Sequence, residues 1–218
     1  MQIQSHIITT IPVFNLESPL KKVIHFFKHT TYSHVAIVEG KIFLGVLSEN
    51  DLETFESDKK IGDYRYNLES FHASINTSWL DVLEIFARNE SNLLPVLDDK
   101  KQVRGYYNLN DIVGVFINTP FFTEPGGILV LAKGIKDYSF SEIAQIVESN
   151  NTKLLGAFIT DVRNEVIQIT IKINTNNFNE VLHTFRRYNY TILSGNKDDQ
   201  FIENLKERSD YLDKYLNV

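Results

Sequence analysis

The 218-residue sequence contains no cysteine. Disulfides, thiolate metal sites and a cysteine nucleophile are therefore excluded, while the redox compartment stays undecided. No run of about 18 apolar residues occurs, so no membrane span is expected. The opening Met1-Gln2-Ile3-Gln4-Ser5-His6 lacks the basic start and apolar stretch of a signal peptide, and a cytoplasmic location is the expectation. Cations are not in excess: 22 Lys and Arg stand against 28 Asp and Glu, for a net charge of −6. A broad nucleic-acid surface needs clustered Lys and Arg, so no nucleic-acid partner is expected. Also missing are Gly-x-Ser-x-Gly, the Walker loop, His-Glu-x-x-His and Gly-x-Gly-x-x-Gly. With no catalytic constellation in view, the expectation is a protein that is not an enzyme. A hydrophobic content of 43% provides for a sizeable core.

What the chain does hold is a repeat. Gly45-Val46-Leu47-Ser48-Glu49-Asn50-Asp51-Leu52 returns sixty positions later as Gly105-Tyr106-Tyr107-Asn108-Leu109-Asn110-Asp111-Ile112. The surroundings recur as well. Ser18 and Pro19 suit the N-cap and first position of a helix. Leu20, Val23, Ile24 and Phe27 form its apolar face, opposite Lys21, Lys22, His25 and Lys28. Residues 35–38 read as a buried strand, Glu39-Gly40-Lys41 as a turn, residues 42–47 as the hairpin partner and 49–55 as a short helix. Val13-Phe14 supplies an extra strand in front. In the second copy, Ser78, Leu80, Leu83 and Phe86 align with Ser18, Leu20, Val23 and Phe26 at the same offset of sixty. Leu94-Pro95-Val96-Leu97-Asp98 aligns with residues 35–39 at fifty-nine. This predicts one residue lost before the strand and one regained in the Asp99-Lys100-Lys101 turn, since loops absorb such changes.

Asn118 to Gly127 holds two prolines and two glycines and marks a boundary. Beyond it, residues 128–132 read as a strand, Ser139-Phe140-Ser141-Glu142 as a capping box opening a helix, and residues 153–160 as a second strand. A turn over 161–165 leads to a β-branched strand over 166–173. A helix carrying Phe178, Val181, Leu182 and Phe185 and a strand over 190–193 complete a β-α-β-β-α-β order, the ferredoxin-like arrangement. In the tail, Ile202, Leu205, Leu212 and Leu216 predict a helix docked on the protein's own body.

The apolar strand, acidic turn and Gly45-x-x-Ser48-x-x-Asp51-Leu52 resemble a cystathionine-β-synthase-type (CBS) domain. Leu94 to Asp98 with Gly105 and Asp111 repeat the pattern, and the two copies resemble a CBS pair, or Bateman module, over roughly residues 1–120. Ala36 departs from the proline frequent in the family, and Asn108 from its Ser or Thr. The following β-α-β-β-α-β segment resembles an ACT-type regulatory domain. The combination is similar to acetoin-utilisation accessory proteins. Asp137 is followed by Tyr138-Ser139-Phe140, without the glycine of the Asp-x-x-Gly found in amino-acid-binding ACT domains. The expected class is α+β. CBS domain 1 is expected over 1–61, CBS domain 2 over 62–120, an ACT-like ferredoxin fold over 126–195 and a C-terminal helix over 196–218.

The resemblance implies an adenosyl ligand in the CBS-pair cleft, with Ser48 toward phosphate and Asp51 toward ribose. A carboxylate can accept from both ribose hydroxyls, and a Ser at a helix start joins the free N–H groups there. Ser48-x-x-Asp51 is equally a variant capping box, with Asp in place of Glu, and both roles stay open. Asn108 and Asp111 are the second such pair, and Asn caps helices as well as Ser does. His34 either stacks on a base or bonds a neighbouring carbonyl. His25 and His29 have metal-ligand spacing but no third ligand near in sequence, which fits a solvated face. Glu49, Asp51, Glu53, Glu56 and Asp58 disfavour a polyphosphate. Arg104 and Lys100-Lys101 would offset them only if the fold brings them near. The ligand expected is adenosine monophosphate or S-adenosylmethionine, with no cofactor and no magnesium required. The expected role is a regulatory, homodimeric small-molecule sensor that acts on a protein partner. The alternative is an interaction scaffold with vestigial ligand sites.

Overall fold

The helix and strand periods sort into two units, residues 1–117 and 118–218. The computed structural model describes residues 3–174 and 177–194. The helix expected over 196–218 lies outside the described residues. The architecture is α+β.

In the first unit, one copy of the repeat contains β1 (Phe14–Asn15), α1 (Leu20–Lys28), β2 (His34–Glu39), β3 (Ile42–Ser48) and a 3₁₀ helix, Asn50–Thr54. The other contains β4 (Ala73–Ser74), α2 (Trp79–Arg88), β5 (Leu93–Leu97), β6 (Val103–Asn108) and α3 (Leu109–Ile117). Each copy builds a three-stranded sheet, β1-β2-β3 and β4-β5-β6. Phe14 pairs with Ile37 as Ala73 pairs with Val96, and Gly45 pairs with Ile37 as Gly105 pairs with Val96. The segment after the second hairpin is a regular α-helix, but after the first it is only a single 3₁₀ stretch.

The equivalence of the two copies differs from the sequence alignment. Leu20, Val23 and Phe27 are buried on α1, and Val82 and Phe86 are buried on α2 beside the half-buried Trp79. Leu80 is 57% exposed. The helices therefore match at fifty-nine, as the strands do. No residue is lost before β5, and the single inserted residue in the β5–β6 turn changes the offset to sixty. The alignment failed because Leu80 and Leu83 keep the i, i+3 spacing one step around the helix, and spacing alone does not fix the phase. The N-cap assignment fails for the same reason. Pro19 is the N-cap of α1, and Ser18 Oγ accepts the Asn15 N–H at 3.3 Å. Thr77 Oγ1 does the same for Ser74 at 2.9 Å, and Ser78 is the true cap of α2.

The two repeated glycines serve the fold. Val46 exchanges two backbone hydrogen bonds with Glu69 in the stretch between the copies, at 2.9 and 3.0 Å. Tyr106 exchanges two with Ile8, at 2.9 and 2.8 Å. A Cβ at Gly45 would stand 2.7 Å from the Glu69 carbonyl oxygen, and one at Gly105 would stand 2.5 Å from that of Ile8. Gly105 also has φ of +147°, which side chains other than glycine's rarely adopt. Glycine recurs in the motif because a crossing segment lies against it.

The second unit contains α4 (Pro120–Thr123), β7 (Gly127–Gly134), α5 (Phe140–Ser149), β8 (Leu154–Arg163), β9 (Val166–Ile173), α6 (Phe178–Arg187) and β10 (Thr191–Ser194). The sheet order β10-β7-β9-β8, antiparallel throughout, is ferredoxin-like. Leu129, Leu131, Ile169, Ile171 and Ile173 close its core against Ile143, Val147, Val181 and Phe185 of the helices. Half of the expected capping box forms. Ser139 Oγ accepts the Glu142 N–H at 3.3 Å, but the Glu142 carboxylate accepts from Lys133 Nζ at 2.7 Å. The turn expected over 161–165 shrinks to Asn164 and Glu165, both at positive φ, and β8 continues through Arg163. Glu in a left-handed turn is uncommon, which hid the strand's true end.

Candidate functional site

Pairing of β2 with β3 sets His34 opposite Ser48. Both side chains are buried, at 5% and 6% exposure. Ser48 Oγ accepts the N–H of Asn50 at 3.2 Å, two residues on, and Glu49 is the cap of the 3₁₀ helix without a side-chain bond. The variant capping box of Ser48 and Asp51 does not form, since Ser48 Oγ accepts from Asn50 and not from Asp51. Asp51 is half-buried, and its carboxylate has no hydrogen bond or ion pair among the described residues.

Glu69 joins the site without any motif in the sequence to mark it. Its backbone bridge to Val46 carries its carboxylate to 3.5 Å from His34 Nε2. No periodicity signals this, because the contact comes from a single bridge across a connecting stretch. The Phe71 ring meets His34 edge-on at 5.1 Å. On the other side, His34 Nδ1 is 2.8 Å from Ser33 Oγ. His34 thus bonds a hydroxyl, where a carbonyl was the simpler expectation. Burial lowers the imidazole below its ordinary pKa, opposed by the Glu69 carboxylate and then by Asp51. The first copy therefore gathers a hydroxyl, an imidazole held toward neutrality and two carboxylates.

The second copy does not. Asn108 stands opposite Leu93. Its Oδ1 accepts the Asn110 N–H at 2.8 Å, and Asp111 is exposed on the first turn of α3. Ile8 bridges to Tyr106 where Glu69 bridges to Val46. Leucine and isoleucine replace the histidine and glutamate. Arg104 faces Asp98 of its own copy at 4.0 Å. The His25 and His29 rings lie 4.1 Å apart, with His29 Nδ1 bonded to the His25 carbonyl at 2.8 Å. No metal-binding group of residues occurs among the described residues.

The copies are joined at equivalent positions. Ser33 N–H donates to Asn92 Oδ1 at 2.8 Å, and Asn92 N–H donates to Ser33 Oγ at 2.9 Å. The Ser33 carbonyl accepts from Glu49 N–H, and that of Asn92 from Leu109 N–H, at 2.8 and 3.0 Å. Each strand entry therefore anchors the start of its own copy's last helix. A groove of about 400 Å³ borders the short 3₁₀ helix, lined by Ile24, Phe27, Asn50 and Leu52 together with the charged Lys28, Glu49 and Glu53.

A family model described as the CBS domain matches residues 5–56 and 64–118. A search of curated proteins finds no match. Among solved structures, a CBS domain pair/ACT domain protein from Thermotoga maritima is similar at 17% identity and a TM-score of 0.49, covering 54% of this chain and 97% of that one. CBSX2 in complex with AMP is similar at 13% identity and a TM-score of 0.44, covering 53% and 96%. The CBS domain of a bacterial CNNM/CorC family Mg²⁺ transporter in complex with ATP is similar at 13% identity and 0.44, covering 54% and 87%.

Proposed function

Residues 5–118 carry a tandem pair of CBS domains, and on that premise we propose that the protein is a regulatory sensor whose first copy binds an adenosyl ligand at Ser48, Asp51 and His34. The observation that carries this reading is half-buried Asp51, whose carboxylate has no hydrogen bond or ion pair among the described residues, beside buried Ser48 and His34. A carboxylate so placed is free to accept two hydrogen bonds from a vicinal diol. The Ser33–Asn92 connection gives the site a route to the second copy, so a ligand that favours one arrangement of this contact shifts the pair. Asp111 and Asn108 form a weaker site in this reading, and one ligand per pair is expected. We read the ferredoxin-like unit as an ACT-type module that supports a homodimer, and the output as a contact with a protein partner in the cytoplasm. Acetoin-utilisation accessory proteins are the finer form of this reading.

A thermal-shift panel tests it. Adenosine mono-, di- and triphosphate, S-adenosylmethionine and common amino acids are offered to the full chain. A ligand at a hundred times its Kd stabilises by about 2.7 kcal/mol. At least one adenosyl compound is expected to raise Tm, and Asp51→Ala to abolish that rise while leaving the unliganded Tm nearly unchanged. No shift with any compound at millimolar concentration defeats the sensor reading. The scaffold alternative then stands, favoured by the exposed Asp111 and by Asn108, whose oxygen is occupied within its own turn.

A further inference from the structure

We propose that residues 195–218 seat as an amphipathic helix on the open face of the second unit's sheet. Residues paired directly across antiparallel strands share a face. Gly156, Lys172 and Ile128 therefore form one row, Phe158, Thr170 and Val130 the next, and Asp161, Gln168 and Ala132 a third. The alternate residues, Ile169 and Ile171 among them, enter the core with α5 and α6. On the open side, α4 covers only the first row. Its Phe121 ring lies against Gly156 and stands 5.4 Å from that of Phe158, and its Phe122 carbonyl accepts from Lys172 Nζ at 3.4 Å. Ile128 is nevertheless 52% exposed and Phe158 42%, with Val166, opposite Arg163 in a fourth row, at 43%. Apolar side chains gathered on one exposed face mark a docking surface. Position, length and charge point to the chain's own end as its occupant. Thr191 and Ser194 of β10 extend the rows of Ala132 and Val130, so the chain departs from the rim of this face. A helix from Phe201 to Leu216 is about 23 Å long. Four strands spaced about 4.8 Å apart span only about 14 Å, so it reaches Phe158 on the far edge strand. Phe201, Ile202, Leu205, Leu212 and Leu216 share one side of that helix, opposite Glu203, Glu207 and Asp210. Lys172 is 7% exposed and forms no ion pair among the described residues, while residues 195–218 carry six carboxylates against four cations.

The cysteine-free chain allows a direct test, because an engineered pair is its only source of disulfide. In the full chain, Thr170→Cys in the middle of the face is combined in turn with Ile202→Cys, Leu205→Cys, Leu212→Cys or Leu216→Cys. Glu203→Cys, Glu207→Cys and Asp210→Cys serve as controls on the opposite side of the helix. A disulfide forms only where the two Cα atoms come within about 7 Å. Under mild oxidation at least one apolar position is expected to link within the chain about tenfold faster than the controls, through its higher effective concentration at the face. Urea is expected to abolish that difference. Leu212→Asp added to the fastest pair, or Leu205→Asp where position 212 holds the cysteine, is expected to slow the link several-fold by placing a charge on the seated side. Equal rates at apolar and control positions, or a rate unmoved by the added Asp, overturn the proposal. So does the absence of any link within the chain, which leaves the face to a separate protein partner. Disulfide-linked dimers from Thr170→Cys alone also overturn it, by assigning the face to a second copy.

Discussion

Tyr106 shows how single residues distinguish two copies that share a fold. Its buried hydroxyl accepts the Ala36 N–H at 3.1 Å and donates to the Pro12 carbonyl at 2.8 Å. Burial raises the pKa of this phenol, so it stays a donor. Ala36 departs from the family's proline, and its N–H is the group a proline would lack. The counterpart Pro95 needs no such partner, since the residue equivalent to Tyr106 is Val46. His34 is the other residue that marks the first copy. Its folded pKa is lowered, chiefly by burial, against an ordinary value of about 6.5. The unfolded chain therefore binds a proton more readily than the folded one as pH falls through this range. The stability His34 contributes is full above about pH 6.5 and is lost as pH drops toward its folded pKa. His72, lowered by burial and then by Lys101, acts with the same sign. We expect Tm to fall between about pH 7.5 and pH 5.5, and His34→Asn to reduce that fall while His72 keeps part of it. An unchanged pH profile in the variant would show that His34 binds its proton equally well in the folded and unfolded chain, so that its folded pKa is not lowered.

At the scale of elements, the hairpins were legible and the helix phase was not. Residues 35–38 and 42–47 are short apolar runs separated by the Glu39-Gly40-Lys41 turn, and β2 and β3 form there. A helix leaves more freedom, because Leu80 and Leu83 mimic the spacing of Leu20 and Val23 from one position away. Burial separates the two phases, with Leu20 at 0% and Leu80 at 57% exposure. Leu20→Ala should cost about 2–5 kcal/mol. Leu80→Gln should stay within about 0.5 kcal/mol. Urea midpoints of the two variants check this, and equal losses would restore the offset of sixty. The candidate site divides in the same way. Ser48 and Asp51 were visible as a motif, since both lie within one short stretch. Glu69 was not, because an isolated bridge brings it to His34 and leaves no periodic trace.

For the molecule as a whole, the two units close separate cores. The first gathers Leu20, Val35, Ile37, Val82, Leu94, Tyr106 and Ile112, and the second gathers Leu129, Ile143, Ile169 and Phe185. A domain with its own core folds alone. Residues 1–117 expressed by themselves should melt cooperatively and retain mixed α/β circular dichroism. A broad, non-cooperative melt would show that the first unit depends on the second. The sequence alone determined the repeat, the order of strands and helices, the α+β class and the motif at Ser48 and Asp51. These follow from periodicity and turn chemistry, which act between near neighbours. Only the tertiary structure decided the helix phase, the crossing segments that require Gly45 and Gly105, and the carboxylate that Glu69 adds to the first site, whose inequality with the second was already visible in Asn108. Those depend on which distant segment lies against each strand. Glu69 reaches β3, and Ile8 reaches β6. One brings a carboxylate to a buried histidine, and the other brings only an apolar side chain to its strand.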